Sequence, residues 1–355
     1  MTMVTSIAAP AFADAYGIAL YGTHYLDQGN ITVEVRGGQY YVNDVLDDDG
    51  PVIIKNHEDE SDTTSVSNTI TIHAEDGEAN VTLKDVDIVT NGEANKSGIT
   101  VKADKTKTAT ATVNVTLDNV TVDAREDASS EGATGGAGMT IQGNGVVNIE
   151  LDGKNELLAG DGHAGLEKNR TESVGSLNIN DSNEDGGSLT AIGGDGGAGI
   201  GGGKGDMGSG LYILNGTVNA YGKGGGAGIG GGDGAGAHMV GLNAGVPGVN
   251  DAYEPTVTAV GSEGAAGIGG GKGGRLTDAV LSSGTLTGTM ETLEYLQAHG
   301  AQTIVFTTSQ RTSSFQISDL LALADEGDVF YLTHAEVNEP TLLVVTSDHT
   351  DLLEG

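Results

Sequence analysis

The chain of 355 residues contains no cysteine and no tryptophan. Without cysteine there is no disulfide framework, no thiolate metal site and no cysteine nucleophile. Basic residues are scarce, 16 against 50 acidic ones, and the formal net charge is −34. That balance argues against nucleic acid or an anionic membrane surface as a partner and in favour of a cation or a basic one. No apolar run reaches the ~18 residues that a transmembrane segment needs. The histidines, at 24, 57, 73, 163, 238, 299, 334 and 349, show no H-x-x-x-H spacing and so no metal signature. A phosphate-cradling loop is missing too, because Gly203-Lys204 and Gly271-Lys272 are each followed by Gly rather than Ser or Thr.

What the chain has in abundance is glycine, 60 residues of it. The densest stretch, Gly193 to Gly203, recurs around Ile229 and Ile268, with weaker copies around Ile99, Met139 and Leu166. Successive apolar centres of these six copies lie 27 to 40 residues apart, a period that marks a solenoid. Upstream of each centre sits a strand-like phrase. Ile88 to Ile99, Leu189 to Ile200, Val218 to Ile229 and Val257 to Ile268 are all 11 residues apart, while Leu157 to Leu166 is 9 and Val122 to Met139 is 17. A third segment alternates with period two, as in Val113 to Leu117, Val147 to Leu151, Leu177 to Ile179 and Leu211 to Leu214. Three short strands per repeat, with no room for a helix between them, predict an all-β right-handed three-faced parallel β-helix. Glycine then serves corners with φ > 0 and close backbone approach between coils, and the Ile, Val and Leu residues stack inward, Ile200, Ile229 and Ile268 in one column. A flexible linker is the competing reading of so much glycine, but a linker needs no isoleucine at a fixed offset from a Thr-Val phrase.

The phrases Leu83-Lys84-Asp85-Val86-Asp87-Ile88 and Leu117-Asp118-Asn119-Val120-Thr121-Val122 are one motif twice, with looser versions at Leu151 to Leu157 and Leu214 to Val218. Over about residues 31 to 288 the chain resembles a family of bacterial carbohydrate-binding parallel β-helix domains, kin in fold to the pectate lyases, and Gly-rich surface proteins with GGAGIGGG-type repeats. The resemblance implies a polysaccharide or glycan as partner. The chain departs from it in the higher glycine content after Gly193.

The N-terminus contains Ala11-Phe12-Ala13, a small-x-small cleavage form without its basic leader, so residues 1–13 are expected to be the remnant of a secretory signal. Residues 14–288 are expected to form the β-helix with an N-terminal cap, and 289–355 a small α+β capping unit or the start of a further domain. In that unit Met290, Leu293 and Leu296 have helical spacing, Gln302 to Thr308, Val329 to Thr333 and Leu342 to Thr346 read as strands, and Ser318 to Ala324 as a helix.

Three candidate sites follow. Tyr16, Tyr21 and Tyr25 cover the first coil or serve as a sugar-stacking platform. Asp181-Ser182-Asn183-Glu184-Asp185-Gly186 matches the first half of a calcium loop, with Asp181, Asn183 and Asp185 as oxygen ligands for Ca²⁺; its twelfth position is Ile192 rather than Glu, and a plain hydrated turn is the alternative. Lys204, Asp233 and Lys272 lie four places after their isoleucines and are expected to form an edge column of alternating charge, a structural ladder or, read catalytically, a proton-abstracting lysine beside a carboxylate. His163 and His238 are expected at the surface. A flat array of outward threonines would mark a passive stalk or an ice-binding face; Thr108, Thr110 and Thr112 alternate, with no later continuation evident. The expected function is that of a secreted or cell-surface carbohydrate-binding or adhesion protein. Calcium assists it in holding an acidic polysaccharide without turnover, and a polysaccharide lyase or glycosidase is the enzymatic alternative.

Overall fold

A computed structural model describes residues 22–345 except 49, 105–109, 126–133, 184–185, 243–254, 275–278, 282–284, 290–292, 295–296, 298–302, 308–311, 323–328 and 335–339. The described chain is mostly β-strand, arranged in three sheets of parallel pairs that are not closed on themselves. The first sheet runs Gly22–Tyr25, Val52–Lys55, Glu78–Lys84, Thr112–Asp118, Val146–Asp152, Ser176–Asn180, Gly208–Ile213, Ala237–Leu242 and Ala279–Leu281. The second runs Asp87–Val89, Thr121–Ala124, Lys154–Ala159, Ser188–Asp195, Thr217–Lys223 and Thr256–Val260. The third runs Ile31–Arg36, Ile70–Ala74, Ile99–Ala103, Met139–Gly143, Leu166–Glu167, Ile200–Gly201, Ile229–Gly230 and Ile268–Gly269. From Glu78 to Leu281 the chain visits first, second and third sheet in unbroken rotation. One continuous cluster of buried side chains draws members from all three.

Alternation explains most of the burial. Inward residues are mostly apolar and outward ones mostly polar, as in Thr112–Asp118, where Val113, Val115 and Leu117 are buried. In the third sheet Ile31, Ile70, Ile99, Met139, Leu166, Ile200, Ile229 and Ile268 pair in direct register, so the expected isoleucine column exists and is eight residues long. The corner phrases also hold: Asp85, Asn119 and Gly153 occupy equivalent corners with φ of 52°, 58° and 63°, a conformation that Asn, Asp and Gly tolerate best.

Two expectations need correction. The shared count of 11 residues does not align the second-sheet strands, because Leu157 pairs with Ala191, which leads on to Ala220 and Ala259, while Leu189 pairs with Asn155. Leu189, Val218 and Val257 therefore lie two residues before the true partners of Ile88 and Leu157. A step of two keeps every side chain on its face, so the pattern alone could not reveal it. The glycines likewise divide into two kinds. Gly201, Gly230 and Gly269 have φ of 133°, 138° and 141°. Gly226, Gly228 and Gly232 do not need positive φ; a Cβ on any of them would lie closer than 3.0 Å to the backbone of an adjacent strand or loop.

At the N-terminal edge Gln39–Val42 and Val45–Asp47 extend the third sheet as an antiparallel meander. At the other end Thr285–Thr289 pairs antiparallel with Val329–His334, which pairs with Pro340–Val345. A hairpin of Thr303–Thr307 and Thr312–Gln316 joins the edge of the first sheet and leads into the short helix Ile317–Leu321. The three strands expected here are present, and the Thr312–Gln316 strand was not foreseen. Leu293 is fully buried, whereas Met290 and Leu296 lie outside the described residues.

Candidate functional site

The outward faces of the three sheets differ in one decisive respect, whether their polar side chains are already bonded to one another. On the first sheet Asn80, Asn114, Asn148 and Asn178 are in register. Each amide donates to the preceding carbonyl oxygen, at 2.8 Å (Asn114 to Asn80), 2.7 Å (Asn148 to Asn114) and 2.8 Å (Asn178 to Asn148). Asn114 also donates to Glu78 Oε1 at 2.7 Å, and Tyr40 Oη accepts from the Asn80 backbone N–H at 2.8 Å. The ladder is a structural brace, its hydrogen-bonding capacity largely spent inside the protein.

The second sheet is different. Over its last three strands nine outward positions form a grid: Ser188, Thr217 and Thr256 in one row, Thr190, Asn219 and Thr258 in the next, Ile192, Tyr221 and Val260 in the third. None is charged. Ser188 Oγ donates to Gly153 O at 3.4 Å, but the side chains of Thr190, Thr217, Asn219, Tyr221, Thr256 and Thr258 make no hydrogen bond to the described residues. Rows lie ~6.7 Å apart along a strand and strands ~4.8 Å apart. The face thus offers hydroxyl and amide groups beside an apolar and aromatic stripe, chemistry that suits the polar edge and C–H face of a sugar ring.

The third sheet carries a threonine ladder, Thr32, Thr71, Thr100 and Thr140, that sequence reading did not find. The row beside it is Glu34, His73, Lys102 and Gln142, so the hydroxyl array is one residue wide. Thr108 lies outside the described residues.

Of the expected sites, Tyr25 lies in the first strand beside Lys55, and Tyr16 and Tyr21 fall outside the described residues. Asp181 is buried at 5 % exposure and accepts from Gly187 N–H through Oδ2 at 3.0 Å, while Asn183 donates to Asp152 Oδ1 at 3.0 Å. These two side chains hold a turn; Asp185 lies outside the described residues. Beside them Glu150 accepts from Ser182 Oγ at 2.7 Å, and burial pushes its carboxyl up. Among the described residues no three acidic or histidine side chains converge as a metal cluster. Lys204, Asp233 and Lys272 do occupy successive loops, with Gly205 N–H bonded to Asp233 O at 2.9 Å and Gly234 N–H to Lys272 O at 2.8 Å. Their side chains point to solvent or its margin, and Lys272 Nζ lies 3.8 Å from Glu263.

Two residues carry interactions that sequence reading missed. His163 is no surface spectator: it bonds Glu167 Oε2 at 3.0 Å and Asn95 Oδ1 at 3.1 Å, and the Glu167 bond raises its pKa. Lys168 is fully buried, two residues past Leu166 where Ile141 stands past Met139. Its Nζ donates to Ser209 O at 2.6 Å and Ser173 O at 3.4 Å, and burial lowers its pKa to about 8. The turn at Asn169–Ser173 directs a carbonyl inward, and the lysine satisfies it. The alternation of Leu166-Glu167-Lys168 against Met139-Thr140-Ile141 is the signal that places a charge at an inward position. Compared with family models, curated proteins and solved structures, the chain matches none.

Proposed function

We propose that the three sheets are the faces of a right-handed parallel β-helix and that the chain is a secreted or cell-surface protein that binds polysaccharide along its second face, without turnover. Cyclic visiting of three sheets and one shared interior support the solenoid, and parallel crossovers are right-handed in nearly all proteins. The observation that carries the binding reading is the uncharged grid of Ser188 to Val260, in which the side chains of Thr190, Thr217, Asn219, Tyr221, Thr256 and Thr258 make no hydrogen bond to the described residues. Repeating rows give a polymer several equivalent contacts, so weak single contacts add into retention. Calcium assistance at the Asp181 turn is a variant of the proposal, and lyase activity at Lys204 is its enzymatic alternative. The test is a pull-down on pectin, alginate and a neutral glucan, with calcium or EDTA, beside an ultraviolet assay for unsaturated product. Retention without absorbance growth is expected; steady growth would replace binding by cleavage, and no retention on any polymer would overturn the reading.

A further inference from the structure

We infer that the second-sheet grid takes an uncharged, extended glycan laid across the strands, along the direction in which they stack, and needs no divalent ion to do so; this rests on the reading of that face as a polysaccharide site. The chain is acidic throughout, yet the nine grid positions carry no charge. The charges at its border offer a polyanion little. Arg125 is held by Asp123 through Nε at 2.9 Å and Nη2 at 2.6 Å. Asp195 pairs with Lys223 across a register shift at the far end of the strands, so each charge has one of opposite sign beside it. Glu156 stands beside Thr190 and Lys154 beside Ser188, so one exposed lysine is offset by a neighbouring carboxylate. Against a net charge of −34 these groups cannot neutralise a run of uronates or sulfates, which the body repels.

Orientation follows from the rows. A ligand running along one strand meets two hydrogen-bonding side chains and then a single apolar or aromatic one. A ligand running across the strands meets the same pair, an apolar side chain and a hydrogen-bonding one, at every step: Ile192 with Thr190, Tyr221 with Asn219, Val260 with Thr258. The apolar row begins one strand earlier at Leu158, which is 7 % exposed, so the usable stripe spans ~10 Å from Ile192 to Val260. Hydroxyls and an amide both donate and accept, which matches neutral sugar hydroxyls and gives a carboxylate no cation.

Calorimetric titration of the full chain tests this with cello-, xylo- and manno-oligosaccharides of increasing length, and with oligogalacturonates and alginate oligomers, each in calcium and in EDTA. Neutral oligomers should bind, more tightly with length until the stripe is covered, and at least tenfold more tightly than uronates, with no change in EDTA. Tyr221→Ala and Asn219→Ala should each weaken binding about tenfold or more, whereas Asn148→Ala, in the first-sheet ladder, should not. Thr258→Val, which keeps shape and removes the hydroxyl, guards against a variant that fails to fold. Preference for uronates, or loss of binding in EDTA, with sensitivity to Tyr221→Ala retained, would overturn the charge inference and leave the polysaccharide site standing. Binding indifferent to Tyr221, Asn219 and Thr258 would overturn the site itself, and no binding of either class would overturn the polysaccharide reading.

Discussion

Replacing Lys168 by methionine should stabilise the protein at neutral pH and destabilise it in strong alkali. The lysine is fully buried, its Nζ donates among the described residues to the carbonyls of Ser209 and Ser173 alone, and burial lowers its pKa from 10.5 to about 8. A folded-state pKa below the unfolded one means that the unfolded chain holds more protons between those values, so stability rises with pH across about 8 to 10.5. Below about pH 8 the full penalty applies, and at 1.36 kcal/mol per pKa unit it is roughly 3 kcal/mol. Methionine fills similar volume without charge but leaves two carbonyls without their donor, at about 1 kcal/mol each. The net expectation is a gain of about 1 kcal/mol at pH 7, a crossing near pH ~9, and a loss of about 2 kcal/mol above pH ~10.5. Urea unfolding of both proteins between pH 6 and 10.5 measures it, since the difference between them cancels every other titrating group. A difference that stays constant over that range would refute the idea of a buried, depressed lysine.

Three further substitutions probe the stack. Ile229→Ala removes a fully buried member of the eight-residue column and should cost about 2 to 5 kcal/mol by thermal or urea unfolding; an unchanged midpoint would contradict the column. Gly226→Ala, whose Cβ would collide with the carbonyl of Gly197, should prevent cooperative unfolding, whereas Gly264→Ala, with φ of 83° and open space around it, should cost only about 1 kcal/mol of backbone strain. Equal behaviour of the two in circular dichroism melts would refute close backbone approach as the reason for glycine at 226.

Much of the architecture was legible because it depends on local periodicity. Alternation in Val113 to Leu117 and its counterparts marked the first-sheet strands, and the recurring Gly-flanked residue marked the third-sheet column, since each sequence repeat keeps one pattern with little change. Register in the second sheet was not legible. Leu189 and Ala191 are both apolar and both inward, so only the pairing with Asn155 and Leu157 decides between them. The calcium motif at Asp181 is a linear pattern, whereas the bonds of Asp181 to Gly187 and of Asn183 to Asp152 depend on how the corner closes and on the strand stacked beside it.

Taken alone, the sequence determined that the chain is all-β over most of its length, that its strands repeat with a solenoid period, and which residues turn inward, because side-chain direction follows residue parity within a strand. Only the tertiary structure decided which outward residues become neighbours. Ser188, Thr217 and Thr256 are 29 and 39 residues apart, as are Ile192, Tyr221 and Val260, and no local rule brings them together. The amide ladder and the uncharged grid look alike in sequence, as Asn-Val-Thr and Thr-Val-Asn phrases. They part company only when stacking allows the amides of Asn80, Asn114, Asn148 and Asn178 to bond one another and leaves Asn219 facing outward with no side-chain hydrogen bond to the described residues.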